Sequence, residues 1–288
     1  MENGLMLVSI FRRQATPYIL FLSSIVFLLS CQSAKQDNAQ GNYSAHDQHG
    51  DTLAYKMQVV KEISPYFTEN EGKVDTTYAQ VTYPEFSDSS MNKLILQNIL
   101  IDGEPSLKQY TGNFLEGYGS FVEENDVQYP LSWMKETTIN IELYTPQIIC
   151  IKNQTYEFAG GAHGNSFTIW NIYDLEGARK LDLKTFIPEN KMVDFVKMAE
   201  KLFRDDEGIS DTTNLNKNYF FENGKFALSA TFGLTKKGIM FHYNPYEIKP
   251  YAAGTTTLII NYDDIQEYLT NTGKNYIQNI KTHYNSIH

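Results

Sequence analysis

Between residues 138 and 144 the chain alternates cleanly: Ile139, Ile141 and Leu143 fall on one side of an extended backbone, Asn140 and Glu142 on the other. Period-two alternation of this kind marks a strand with one face buried. Pro146 and Gln147 then turn the chain into a second apolar run, residues 148–158. The same signal recurs through Tyr55, Met57 and Val59, and through residues 74–83, which Pro84 is expected to end. It returns over residues 167–173, through Phe226, Leu228, Ala230 and Phe232, through Ile239, Phe241 and Tyr243, and over residues 255–260. The turn at residues 235–238 makes a hairpin of the runs on either side of it.

Helical spacing interrupts these runs at few places. Asp88 or Ser89 can cap a helix bearing Met91, Leu94, Ile95 and Ile99. Leu107, Tyr110, Phe114, Tyr118 and Phe121 continue at helical spacing, although Gly112, Gly117 and Gly119 weaken that reading. The strongest helix runs over residues 190–207, with Met192, Phe195, Val196, Ala199, Leu202 and Phe203 in a stripe and Gly208 to stop it. A short helix is expected from Asp263 or Asp264 to Leu269, and a terminal one around Ile277, Ile280 and Tyr284. Strands in pairs, with helices inserted rather than alternating regularly, give an α+β fold with antiparallel sheets. The expected division is residues 51–158 and 159–288, two small sheet-plus-helix domains in tandem.

The first fifty residues read differently. Arg12 and Arg13 precede an apolar stretch over residues 18–29, shorter than the roughly 20 residues a membrane-spanning helix needs. Leu28-Leu29-Ser30-Cys31 then matches a lipobox, so residues 1–30 are read as a lipoprotein signal peptide and Cys31 as the lipidation site that ties the chain to a membrane. An ordinary leader with an incidental Cys31 is the alternative. Residues 31–50 are polar, lack large aliphatic side chains, and are read as a flexible linker. His46 and His49 fall in it. The expected location is the cell envelope, with the folded part periplasmic or surface-exposed.

Composition narrows the partners. The net charge of −10 makes nucleic acid an unsuitable ligand, since phosphate contacts need clustered Lys and Arg. The only other cysteine, Cys150, sits in the apolar run Ile148-Ile149-Cys150-Ile151 and is read as a core residue. With Cys31 lipidated, no internal disulfide or cysteine-based metal site is available.

The sequence shows no catalytic set, no metal site and no cofactor motif. Gly-x-Ser-x-Gly, the phosphate loop, the Rossmann fingerprint and His-Glu-x-x-His are all missing. His242 lies on a strand, on the opposite side from Phe241 and Tyr243, and is read as a solvated or hydrogen-bonded residue. His163 is held in Gly160-Gly161-Ala162-His163-Gly164-Asn165, whose glycines allow left-handed turns and close backbone approach. It can present an imidazole, or tie down its own loop by hydrogen bonds. Tyr246 and Tyr251, on an irregular loop over residues 244–254, can stack on sugar rings, anchor a protein partner, or cover a sheet edge. His163, Tyr246 and Tyr251 are therefore the ligand-binding candidates.

These same stretches resemble a known family. Gly160 to Asn165, then Asn171-x-Tyr173-Asp174-Leu175-x-Gly177, Leu181-x-Leu183, Phe241-x-Tyr243-x-Pro245-Tyr246-Glu247-Ile248 and Tyr251-Ala252-x-Gly254, are similar to the extracytoplasmic part of RsiV-like proteins. Val81-Thr82-Tyr83-Pro84-x-Phe86 resembles the domain that precedes it there. The resemblance implies two tandem α+β domains, of the kind that bind lysozyme in an anti-sigma factor or precede a deacetylase domain in peptidoglycan-modifying enzymes. The expectation is the ectodomain alone, a binding or sensing lipoprotein whose partner is a lysozyme-like protein or a cell-wall glycan. An envelope hydrolase or esterase using His163, and a structural envelope protein, are the other readings.

Overall fold

The computed structural model describes residues 9–12, 52–70, 73–125 and 131–285. Cys31, His46, His49 and the expected linker lie outside the described residues. A seven-stranded sheet runs in chain order: β1 (Ser9–Arg12), β2 (Tyr55–Asn70), β3 (Lys73–Phe86), β4 (Met134–Tyr144), β5 (Ile148–Phe158), β6 (Asn165–Asp174) and β7 (Arg179–Leu181). The fold is α+β, as expected. Neighbours pair antiparallel except β3 and β4, which are parallel. The antiparallel expectation missed that pair because α1 (Ser89–Gln97) and α2 (Leu107–Asn125) form a crossover connection between the two strands. β1, which falls in the segment read as a leader, pairs with the outer edge of β2 from Ser9↔Glu69 to Arg12↔Tyr66.

Local chemistry sets these elements. Asp88 caps α1 by accepting from Met91 N at 2.9 Å. Asn92 fixes the entry by accepting from Phe86 N and donating to Phe86 O, both at 2.8 Å. α2 forms in spite of its glycines because one of them is used: a Cβ at Gly119 would lie 3.3 Å from the Tyr66 ring. β3 continues through Pro84 to Phe86, past the expected end. β4 pairs only with Tyr78 to Thr82, so at Pro84 one side of β3 is unpaired and the missing N–H can face it.

α1 and α2 cover one face of the sheet, burying Met91, Ile95, Ile99 and Tyr110 against Val81, Ile139, Ile149 and Ile151. The opposite face is covered only in part. There a second layer joins α3 (Leu183–Phe186), α4 (Glu189–Asp206), α5 (Asn271–Asn285) and a three-stranded antiparallel sheet of β8 (Phe232–Leu234), β9 (Gly238–Tyr243) and β10 (Thr256–Asn261), in order β10-β9-β8. Phe195, Ala199 and Phe203 of α4 and Ile239, Phe241, Leu258 and Ile260 of the small sheet pack on Leu143, Ile148, Cys150 and Ile172. The layers approach closely at Gly233, where a Cβ would lie 2.1 Å from the Trp170 ring.

Two expected elements are corrected. Residues 226–231 are extended but lack a ladder: Tyr243 Oη donates to Ala227 O at 2.8 Å and Ser229 Oγ to His242 O at 2.6 Å. Residues 263–269 make successive turns rather than a helix, with Tyr268 N donating to Ile265 O. The expected boundary at residues 158 and 159 falls in the turn joining β5 to β6, strands that pair from Ile148↔Asp174 to Glu157↔Asn165. Asn98 also bridges the two halves, its Oδ1 accepting from Asn171 Nδ2 at 2.6 Å and Tyr173 Oη at 3.3 Å. Among the described residues no helix is long and apolar enough to cross a membrane.

Candidate functional site

The three candidates from sequence come together at the start of β6. Gly160 and Gly161, at φ 85° and 92°, turn the chain out of β5 and bring His163 over the loop of residues 244–254. The His163 ring stacks on Tyr251, with centroids 3.9 Å apart and planes 12° from parallel. Tyr246 completes the group, 5.5 Å from Tyr251 and 6.5 Å from His163. Its hydroxyl lies 3.5 Å from His163 Nε2.

Gly164 is the hinge of the arrangement. Its carbonyl accepts from Tyr251 Oη at 2.7 Å and meets His163 Nδ1 at 3.0 Å. A carbonyl can only accept, so Nδ1–H donates to it, and Nε2 faces the Tyr246 hydroxyl. A Cβ at Gly164 would run into the Tyr156 ring, so glycine lets that ring pack against the loop undisturbed.

Tyr246 occupies a strained position. Asn244-Pro245-Tyr246-Glu247 closes a β-turn through Glu247 N to Asn244 O at 3.1 Å. Proline second and a positive φ third are the signature of a type II turn, whose third residue is ordinarily glycine or asparagine. Here it is a tyrosine at φ 68°, with 55 % of its surface exposed. A left-handed conformation costs a non-glycine residue about 1–2 kcal/mol. The surroundings hold it: Asn244 accepts from Thr168 N at 2.6 Å and donates to Thr168 O at 3.0 Å, and Glu247 accepts from Asn244 N at 2.8 Å. Beyond the turn, Lys249 reaches both oxygens of Glu207 at 2.6 and 2.8 Å, and Ile248 O accepts from Phe220 N at 2.9 Å. The loop is thus pinned on both sides of the rings it presents.

This arrangement offers flat rings and two outward polar atoms, His163 Nε2 and Tyr246 Oη. Among the described residues no carboxylate contacts His163, so the oriented partner that acid–base catalysis needs is not among its neighbours. No group of three His, Cys, Asp or Glu among the described residues could hold a metal. His242 is buried near the end of β9, its Nδ1 3.5 Å from Thr257 Oγ1 and its Nε2 without a hydrogen-bond partner among the described residues. Burial holds its pKa below the ordinary histidine value, opposed by the nearby Glu247 carboxylate. Of the two expected environments, solvated or hydrogen-bonded, the structure shows the second, because both faces of β9 are buried. Cys150 is fully buried, and burial pushes its thiol up to about 12.

Two clefts lie at the other end of β6. One, of about 330 Å³, runs between α1 and the β6–β7 turn and is lined by Met91, Lys93, Leu94 and Leu175. The other, of about 360 Å³, is lined by amides, but Asn279 and Gln147 bond each other across it. Neither touches the aromatic group.

Comparison with known proteins finds two family matches in different parts of the chain. Residues 185–263 match the family described as a protein of unknown function, DUF3298, and residues 70–166 match the family described as Deacetylase PdaC. No curated protein matches the chain. A crystal structure of a DUF3298 family member from Bacteroides fragilis is similar at a TM-score of 0.64 and 21 % identity, covering 80 % of this chain and 99 % of that one. A DUF3298 family protein from Pseudomonas aeruginosa is similar at 0.58 and 17 % identity, over 77 % of this chain and 96 % of that one. These likenesses show a shared fold. His163 comes from the region resembling Deacetylase PdaC and Tyr246 and Tyr251 from the region resembling DUF3298, so the aromatic group is assembled across the meeting of the two.

Proposed function

We propose that this protein is a binding module of the cell envelope, held to a membrane by lipid on Cys31, and that His163, Tyr246 and Tyr251 receive a sugar ring of a cell-wall glycan. One observation carries the reading: a tyrosine occupies the left-handed corner of a turn where glycine is easier, and its ring stands in solvent beside two others. Strain kept at an exposed aromatic side chain is the pattern of a ligand contact rather than of packing. Aromatic faces offer apolar area to the C–H face of a pyranose, while Nε2 and Oη meet its hydroxyls. The resemblance to RsiV-like ectodomains and the lipobox at Cys31 support the envelope setting.

Calorimetry of the purified protein with soluble peptidoglycan fragments tests this. Tyr246→Ala and His163→Ala are expected to weaken binding about tenfold or more each, a change of about 1.4 kcal/mol. Fragments that bind both variants as they bind the parent would overturn the site. The net charge of −10 favours a second reading, a basic lysozyme-like partner drawn by long-range attraction. Lysozyme binding that weakens steeply with salt, with no glycan binding, would decide for it. The anchor is tested by metabolic labelling with a lipid precursor: a Cys31→Ala protein that still incorporates label would sink it.

A further inference from the structure

Among the described residues, the sheet that carries the aromatic group has a bare half-face. On β5, Asn153 and Thr155 are buried under the helices, while Gln154 and Tyr156 point the other way and are exposed. Thr137 and Ile139 of β4, and Thr77, Ala79 and Val81 of β3, are likewise turned to the helices. Their neighbours Thr138, Gln80 and Thr82 therefore share the face of Gln154. On β2 that face ends in Val59 and Ile63, 44 % and 56 % exposed. The second layer stops at Trp170 and Asn244, leaving this floor uncovered and the aromatic group standing as a wall at its edge.

Floor and wall touch. Tyr156 belongs to the floor and packs on Gly164, whose carbonyl holds Tyr251 and His163. The floor is chemically even. Register sets Thr82 beside Thr138 and Thr138 beside Gln154, a row of hydroxyls and amides crossing three strands, while Thr168, next in line on β6, is buried. Its charges are largely engaged: Lys152 pairs with Glu142, Glu136 accepts from Tyr78 Oη at 2.7 Å, and Lys61 sits over the Tyr78 ring at 3.8 Å.

We infer that this half-face is a run of further subsites for an extended, uncharged, β-linked glycan, entered from the aromatic wall and continued along the row Gln154, Thr138 and Thr82. The inference rests on the glycan reading above and extends it from one sugar to several. Neighbouring strands lie about 4.8 Å apart, close to the length of one pyranose unit in an extended chain. Each strand crossed thus offers one hydroxyl or amide per sugar. A polyanion would find no unpaired row of cations here, and an apolar partner would leave the amides and hydroxyls without hydrogen bonds.

Calorimetry with N-acetylglucosamine oligomers of two, four and six units reads the subsites directly. The parent protein is expected to bind the tetramer about tenfold more tightly than the dimer. Gln154→Arg, an exposed substitution that blocks the row, is expected to keep dimer binding and lose the gain with length. Gln154→Ala should lose part of it, and Tyr246→Ala should weaken every length alike. Equal affinity for dimer, tetramer and hexamer, or a length gain that survives Gln154→Arg, overturns the extended site while leaving the aromatic site standing. No binding at any length overturns both. Slowed amide exchange on β4 and β5 with the hexamer but not the dimer gives a second reading that needs no variant, and its absence counts against the row.

Discussion

The two ends of β5 are one strand in two environments. From Ile148 to Ile151 both faces are buried, and Cys150 lies so far from water that its thiol is pushed up to about 12. From Lys152 to Tyr156 only alternate residues are buried. The difference is made by the second layer, which covers the first end and stops short of the other. A sheet finished on both faces is a core; a sheet finished on one face leaves a surface with a rigid backbone on which side chains can be set out.

Four measurements can break or sharpen that contrast. The largest effect is expected from Ile149→Ala at the enclosed end, a loss of about 3 kcal/mol in urea unfolding, because the cavity cannot collapse between packed layers. Gln154→Ala, five residues on, should stay within about 0.5 kcal/mol; comparable losses at both would mean that the bare end is not bare. Gly164→Ala comes next. Its new methyl must displace Tyr156, costing about 2 kcal/mol and loosening the aromatic group. Unchanged melting and unchanged glycan binding in that variant would contradict the contact.

The third effect is in pH. Burial raises the Cys150 pKa in the folded state. Below the unfolded value, near 9, the thiol is protonated in both states and the stabilisation is whole. Above it the unfolded chain loses the proton first, so stability falls by about 1.4 kcal/mol per pH unit until the folded thiol titrates. The parent should therefore lose stability more steeply between pH 9 and 11 than Cys150→Ala; parallel curves would show that the thiol is not enclosed. Raised tyrosines away from the thiol, such as Tyr243, slope both curves the same way and cancel in the difference. The smallest effect is the most diagnostic. Tyr246→Gly relieves the left-handed turn and should raise stability by about 1 kcal/mol while glycan binding falls. A drop in both would make Tyr246 a packing residue.

Much of the architecture was legible in the residues, and the misses share a cause. Period-two alternation reports which side chains are buried, not which backbone groups pair. It located β4, β5 and β9, but it also suggested a strand at residues 226–231, where the hydroxyls of Tyr243 and Ser229 bond the backbone instead. Glycine in α2 was counted as a cost to the helix, although Gly119 makes room for Tyr66. The candidate site was legible as three side chains with no way to join them. What joins them is the paired register of β5 and β6 and the Asn244 clamp on Thr168, contacts between residues far apart in the chain. Tyr156 and the floor beside it were missed, because a strand read alone does not reveal which of its faces the rest of the protein will leave uncovered.

The ladders that run without a break from β2 to β6 also have a mechanical meaning. The long strands of the sheet begin at β2, and the rings of His163, Tyr246 and Tyr251 stand beside β6. A tug on anything seated on those rings is passed sideways, strand to strand, as far as β2. Among the described residues no swivel lies between the rings and β2 to absorb it, so tension at one edge of the sheet is felt at the other.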